Sequence, residues 1–256
     1  MTDEPSALTR TIFAAVCAGV LGFAGSAAAG PESLREGLFG PRPSEGRQFA
    51  APPVARYVSE DGDVFVLDRS QSRPLLKFEN SGEVWALQPQ PAPRGDVIYK
   101  NDLGEPVLRA TRLGGVTVFT DQRPEGSAAA LAGGGLPIRL PVLGPQALFD
   151  RLIQASARAS RAARRLISFE APNVTPASSS LVGDAAMVAS EAIIRISRRP
   201  DASRTLAKFN IIRFVEGRKP AAQLSKGTLQ ITVTPNQGWG GRPSSDRIVA
   251  VAAGVH

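Results

Sequence analysis

The residues with the clearest capacity for binding chemistry lie close together at positions 238–247. Trp239 stands among glycines and is followed by Arg242, Ser244 and Ser245. An indole can stack on a sugar or a base, and a guanidinium beside two hydroxyls can hold an anion. The same residues are typical of a buried tryptophan that closes a sheet, with a serine capping whatever follows. We favour the buried tryptophan and keep the ligand-binding loop as the alternative.

A second candidate anion site is formed by Arg109 and Arg112, just before two glycines. Residues three apart on a strand point to opposite faces of the sheet. The two arginines would therefore form one patch only if a β-bulge lay between them.

The composition excludes most catalytic centres. The one histidine is His256, at the end of the sequence, and the one cysteine is Cys17, within an apolar run. Serine–histidine triads, thiol catalysis and histidine or thiolate metal sites are therefore not expected, and we predict no catalytic residue, metal ligand or cofactor. Carboxylate acid–base chemistry remains possible, but most acids occupy predicted turns, which favours solvated carboxylates.

The elements that must hold these residues begin with a ladder of short strands. Residues 54–122 alternate β-branched and aromatic runs with turn signals such as Asp61-Gly62. This spacing predicts an antiparallel β-ladder, either a sandwich or a partly open barrel. The prolines within residues 89–93 exclude an internal strand there, because proline lacks the backbone donor.

Helices and a second sheet follow the ladder. Residues 123–144 are rich in glycine and alanine and predict a flexible linker. Residues 145–256 predict helices packed with a small antiparallel sheet, so the fold class is α+β. The helix that begins at Pro145 has an alanine-rich apolar stripe and many arginines. This pattern favours an ordinary core helix over one that lies on a membrane surface.

The first 53 residues carry targeting and linker signals. Residues 11–29 contain no charge and end in three alanines before Gly30, so residues 1–29 are predicted to be a signal peptide. Acids at positions 3 and 4 are unusual in such a leader. This leaves open an uncleaved N-terminal membrane anchor or a buried helix. Residues 30–53 predict a flexible arm, and the expected location is periplasmic or secreted.

The formal net charge is +7, and it rises by one if residues 1–29 are removed. This excess makes an anionic envelope surface or another envelope protein the expected partner, and we expect no nucleic acid partner. A composition rich in alanine, arginine, glycine and proline explains the same excess without any partner.

Five segments of the chain resemble an uncharacterised family of exported alphaproteobacterial proteins, known as a domain of unknown function. The segments are LDRS (67–70), PLLKFE (74–79), PRGD (93–96), GEPVLRATRLGG (104–115) and GWGGRPSS (238–245). The resemblance covers the chain from about Tyr57 onward and implies export and a Gram-negative source. It supplies no activity, ligand or catalytic residue.

The sequence thus predicts an exported, periplasmic or envelope-associated protein with a non-catalytic binding or structural role. The alternative is a carboxylate-dependent hydrolase of envelope polymers. Carboxylates confined to turns would support the first, whereas two acids that converge in a cleft would support the second.

Overall fold

A computed structural model of the chain describes residues 51–255. The predicted signal peptide and all but the last three residues of the predicted arm lie outside this range. All the described residues belong to one compact unit. Within the described range, none of the helices is both long enough and apolar enough to cross a membrane.

The N-terminal half of the described chain forms a nine-stranded, wholly antiparallel sheet. Its strands are β1 (Val54–Ser59), β2 (Val64–Asp68), β3 (Leu75–Phe78), β4 (Val84–Ala86), β5 (Gln88–Pro91), β6 (Val97–Lys100), β7 (Pro106–Ala110), β8 (Val116–Thr120) and β9 (Arg123–Gly134). The predicted ladder is confirmed, including its turns. The proline-rich stretch is also a strand, but it lies at an edge and pairs only with β6, as the missing donors require.

The sheet curls into a nearly closed barrel. Strand β9 returns to pair with β1, and the two edge strands, β4 and β5, are separated in the chain only by Leu87. Alternate side chains fill the interior, where the Tyr57 and Phe65 rings stack with centroids 5.4 Å apart. The interior is therefore a packed core, which fixes the barrel as a rigid support.

The prediction of a flexible linker at residues 123–144 is wrong over the first half of that range. Residues Arg123–Gly134 form β9, which pairs with both β1 and β8 and closes the barrel. Close packing explains the glycine at position 126: a Cβ there would lie 2.6 Å from Thr117 Cγ2 and 2.8 Å from Phe119 Cε1. The predicted β region, residues 54–122, therefore extends to Gly134.

The C-terminal half packs four helices and a second sheet around one apolar core. Within the described range these elements are helices α1 (Pro145–Ala163), α2 (Ser179–Ser197), α3 (Ala202–Leu206) and α4 (Ser245–Ala253) and strands β10 (Ser168–Glu170), β11 (Ile211–Glu216), β12 (Ala221–Ser225) and β13 (Thr228–Val233). Helix α2 lies at the centre, since thirteen of its residues are buried. The α+β class is confirmed.

The small sheet is mixed, whereas the sequence predicted an antiparallel one. Its strand order is β10-β11-β13-β12, and only β12 and β13 run antiparallel. Helices α2 and α3 carry the chain from β10 back to the start of β11, so these two strands run in the same direction. Strand β12 occupies the outer edge, which leaves β11 and β13 side by side and parallel.

Gly126 provides a test of whether the glycine-rich segment is a packed strand. We expect Gly126→Ala to lower the free energy of unfolding by about 1–3 kcal/mol, because the new methyl overlaps Thr117 and Phe119 at a backbone φ of +95°. Gly134→Ala is the matched control in the same strand, where a Cβ meets nothing within 4 Å. Equal, small changes in urea denaturation of both variants would contradict the packed strand.

Candidate functional site

One end of the barrel carries four turns, and these turns face the helical half of the molecule. The turns connect β1 to β2, β3 to β4, β6 to β7 and β8 to β9. They supply eight carboxylates, of which five line the cavities or pair with the helical half: Asp63, Glu83, Asp102, Glu105 and Asp121. Several of these acids pair with arginines of the helical half, so they are not the uniformly solvated carboxylates that the sequence predicted.

Arg242 is the centre of this contact. Its side chain is 2% exposed, and its Nε donates a hydrogen bond to Asp184 Oδ2 in α2. Its Nη1 lies 3.6 Å from Glu83 Oε1, and its Nη2 donates to the carbonyl of Val84 at 2.9 Å. One guanidinium therefore joins the β3–β4 turn, strand β4 and the central helix.

The two serines after Arg242 hold turn carboxylates as well. The backbone N–H and hydroxyl of Ser244 donate to Asp102 at 2.9 and 2.5 Å, and those of Ser245 donate to Glu83 at 2.9 and 2.6 Å. Ser244 also caps α4 by accepting from the backbone N–H of Arg247. We call residues 242–245, with their partners on the barrel and on α2, the clasp.

Burial and charge act in opposite directions within the clasp. Burial raises the pKa of Glu83, against the opposing effects of Arg242 and the hydrogen bonds from Ser245. Burial also acts to lower the pKa of Arg242, but Asp184 and Glu83 outweigh it, so the pKa lies above its usual value. The guanidinium therefore stays charged and compensates the two carboxylates.

A second polar cluster lies beside the clasp at the start of α4. Arg195 Nη1 donates to Asp246 Oδ1 at 2.5 Å, while Asn101 Nδ2 donates to Asp246 Oδ2 at 3.4 Å and to Glu105 Oε2 at 2.9 Å. Burial is the largest cause of the raised pKa of Asp246, and the charge of Arg195 opposes it. Two carboxylates thus converge on one amide.

A cavity with a volume of about 290 Å³ opens next to the clasp. Its apolar wall includes Trp85 and Trp239, which are the only tryptophans of the chain. Its charged residues are Arg73, Arg242, Arg247 and Asp102. The lining therefore combines two indoles with a positive balance, and we call this cavity the tryptophan cleft.

A larger cavity, of about 670 Å³, lies at the mouth of the barrel. Phe78, Trp85 and Phe119 supply aromatic surface, whereas Asp63, Glu105, Asp121 and Asp246 face a single lining arginine, Arg195. Trp85 and Asn101 line both cavities, so the two are neighbours with opposite charge. Among the described residues, no group of three or more acids, histidines or cysteines is arranged to hold a metal ion.

The structure brings four of the six sequence-predicted site residues together. Trp239 is 8% exposed and packs with Leu75, Val84 and Ile138, as the favoured interpretation of a buried tryptophan predicted. Arg242, Ser244 and Ser245 hold the barrel to the helices, so their polar groups are engaged within the protein.

The two remaining predicted residues lie elsewhere. Arg109 donates to Asp96 from its Nε at 2.9 Å, and the backbone N–H of Arg112 donates to the same carboxylate at 3.3 Å. The Arg109 guanidinium is the main cause of the lowered pKa of Asp96. Strand β7 ends at Ala110, so Arg112 lies in the following turn and no bulge is needed to explain the pair.

Sequence reasoning missed the residues that line the cavities from distant positions. Arg73, Trp85, Asn101, Arg195 and Asp246 carry no local motif, and each meets its partners only after the chain folds. The one available signal was the set of acids in the predicted turns of the ladder. Such acids can form ion pairs with arginines of the helical half.

Comparison with protein families gives one match. The model of a family described as a domain of unknown function, DUF4908, matches residues 33–252. The chain belongs to the DUF4908 family. The match covers most of the chain, so the barrel, the clasp and both cavities lie within the DUF4908 domain.

The expectation of an uncharacterised domain family is therefore confirmed by the DUF4908 match. No curated protein and no solved structure matches the chain. The function of this DUF4908 domain has to be argued from its own geometry.

Arg242→Met tests whether the clasp depends on its central charge. We expect a loss of about 3–5 kcal/mol in the free energy of unfolding, because Glu83 and Asp184 are left buried without a cation. Burial already raises the pKa of Glu83, and loss of the opposing charge of Arg242 should raise it further, so the folded state of the variant binds more protons than the unfolded state. The variant should therefore regain part of its stability as the pH falls from about 8 to about 5, as urea denaturation can measure.

Arg213→Met is the matched control. Arg213 pairs with Glu170, but the two side chains are 43% and 40% exposed, so the expected loss is below about 1 kcal/mol. A loss for Arg242→Met as small as this, with no recovery at low pH, would show that the clasp does not depend on the buried charge.

Proposed function

We propose that the protein is an exported, non-catalytic binding protein whose tryptophan cleft holds one acidic sugar unit of an envelope polymer. The observation that carries the proposal is that both tryptophans of the chain line a single cleft beside positive charge. Trp85, which is only partly buried, provides stacking surface for a sugar ring, while the buried Trp239 forms part of the cleft wall. Arginine is suited to a carboxylate through paired hydrogen bonds. This combination favours a ring that carries an anionic group.

Arg73 is the residue best placed to meet that anion. Its Nη1 donates to the carbonyl of Gly240 at 3.1 Å, and within residues 51–255 no carboxylate lies within 4 Å of its guanidinium. Arg242 is engaged by Glu83 and Asp184, so it contributes charge but no open donor. Arg73 is partly buried, and the remaining donors of its guanidinium are available to a ligand.

The size and polarity of the cleft fit one sugar ring. A volume of about 290 Å³ is at the lower end of the range for small-molecule sites, about 300–1,000 Å³. Gln88 is exposed at its edge and can donate and accept hydrogen bonds from ring hydroxyls. The one carboxylate of the cleft, Asp102, already accepts from Ser244 and Arg247, which favours binding over acid–base catalysis.

Titration with galacturonic acid, followed by intrinsic tryptophan fluorescence, tests this proposal. Both indoles line the cleft, so we expect a saturable change with galacturonic acid and a much smaller one with galactose. Arg73→Ala should weaken binding by about 10-fold or more, as for other hydrogen bonds to charged groups. Arg112→Ala removes an exposed arginine outside the cleft and should leave binding unchanged. No saturable change, or equal effects of the two substitutions, would contradict the proposal.

A carboxylate-dependent hydrolase is the second candidate, because Glu105 and Asp246 converge at the barrel mouth and the pKa of Asp246 is raised by burial. A raised pKa is what a general acid needs. The close hydrogen bond from Arg195 favours the ionised form of Asp246 and makes this candidate weaker. Release of new reducing ends from a polygalacturonate, abolished by Asp246→Asn but not by Asp63→Asn, would replace the binding proposal with a hydrolase.

Export is part of the same proposal. It is supported by the uncharged run at residues 11–29 and by the resemblance to exported alphaproteobacterial proteins. N-terminal sequencing of the protein from fractionated cells checks it. We expect an envelope or periplasmic species that begins near Gly30, and a soluble cytoplasmic species with an intact Met1 would contradict it.

A further inference from the structure

Helix α1 has two faces of very different character. Its inner face contacts α2 and buries Leu148, Ala155 and Ala159. On its outer face, Phe149 is 57% exposed and Ile153 is 52% exposed. The two residues are four positions apart, so they lie one turn apart on the same side of the helix. An exposed phenylalanine–isoleucine pair serves no packing function within the described part of the chain.

The same outer face becomes basic toward the end of the helix. Ala157 and Arg161 continue the stripe at successive four-residue steps, and Arg164 follows as the C-cap residue. Both arginines are exposed, and across the described range no carboxylate lies within 4 Å of either guanidinium. Their charge is therefore directed to solvent, unlike that of Arg158, which pairs with Glu191 at 3.1 Å.

We infer that this outer face of α1 is a docking surface for an anionic lipid bilayer. A helix that lies in the plane of a membrane inserts apolar side chains at the level of the headgroups and places its basic residues against anionic lipid. The exposed apolar pair, Phe149 and Ile153, spans about 6 Å at 1.5 Å per residue, and exposed Asp150 and Gln154 lie beside it. The exposed Val142 adds apolar surface at the same end of the helix. The inference does not depend on the tryptophan cleft.

Charge complementarity selects a bilayer over a second copy of the chain. In a parallel pair of α1 helices, Arg161 and Arg164 would meet their own counterparts, which repel them. In an antiparallel pair, the arginines of one copy would face Phe149 and Ile153 of the other. An anionic lipid surface supplies both an apolar layer and compensating charge, and its attraction falls off within a Debye length.

Vesicle flotation of the full chain tests the inference. The probes are vesicles of equimolar phosphatidylglycerol and phosphatidylcholine, compared with vesicles of phosphatidylcholine alone. We expect binding to the anionic vesicles at about 0.1 M salt and its loss at about 1 M salt, where the screening length falls from about 10 Å to about 3 Å. Equal recovery with both vesicle types at low salt would overturn the inference.

Two substituted chains locate the surface. The double variant Arg161→Glu with Arg164→Glu should reduce binding at least about tenfold, because each basic residue near an anionic surface contributes about fivefold. The matched control is Arg218→Glu with Lys219→Glu, which reverses two exposed charges outside α1 and gives the same net charge. The control should retain most of the binding. Equal losses in both variants would show that only net charge matters, and would overturn the inference.

A third variant keeps the test decisive if charge reversal disturbs the helix. Phe149→Ser with Ile153→Ser leaves every charge in place and alters side chains that are more than half exposed, so the thermal midpoint should change little. We expect weaker binding to anionic vesicles than for the unsubstituted chain at the same salt. Unchanged binding would show that the apolar pair does not reach the lipid, and the proposed surface would be wrong.

Discussion

The guanidinium of Arg242 compensates two carboxylates that folding removes from water, one on a barrel turn and one on the central helix of the other half. A buried carboxylate without a partner is unfavourable by several kcal/mol, so Glu83 and Asp184 are tolerated only because this cation lies between them. The surrounding hydrogen bonds from Ser244 and Ser245 fix the orientation of the barrel turns. Arg242 and Ser244 line the tryptophan cleft, and the cavity at the barrel mouth shares Trp85 and Asn101 with that cleft.

Electrostatic complementarity also explains why neighbouring cavities have opposite charge. The turns of the barrel carry acids, whereas the facing helices and the loop before α4 carry arginines. Where a turn acid and an arginine lie close together, they form an ion pair. Where they do not, the acids line one cavity and the arginines line the other. The tryptophan cleft takes its balance from the arginines, and the barrel mouth takes its balance from the acids. Trp85 stands between them and gives both an aromatic wall.

Local patterns in the sequence were sufficient for most of the strands and helices, because turn residues and side-chain periodicity act over a few positions. They failed at β9, where Gly126 is required by Thr117 and Phe119 on a neighbouring strand, a contact that local sequence does not show. They also failed for the direction of β11 and β13, which depends on where the intervening strand is placed. Trp239 was predicted correctly as buried, since a strand leads directly into its loop. The partners of Arg242 could not be predicted, because Glu83 lies far away in the chain.

The same separation has a consequence for the order of folding. Ser245 and Glu83 are 162 positions apart, whereas most strand pairs of the barrel join neighbouring segments. Contacts between distant segments form late, because closing a long loop removes much chain entropy before any contact is gained. The barrel can therefore assemble while its turn carboxylates are still hydrated. We expect the last helix to dock afterwards and expel that water, so that dehydration of the acids coincides with completion of the native state.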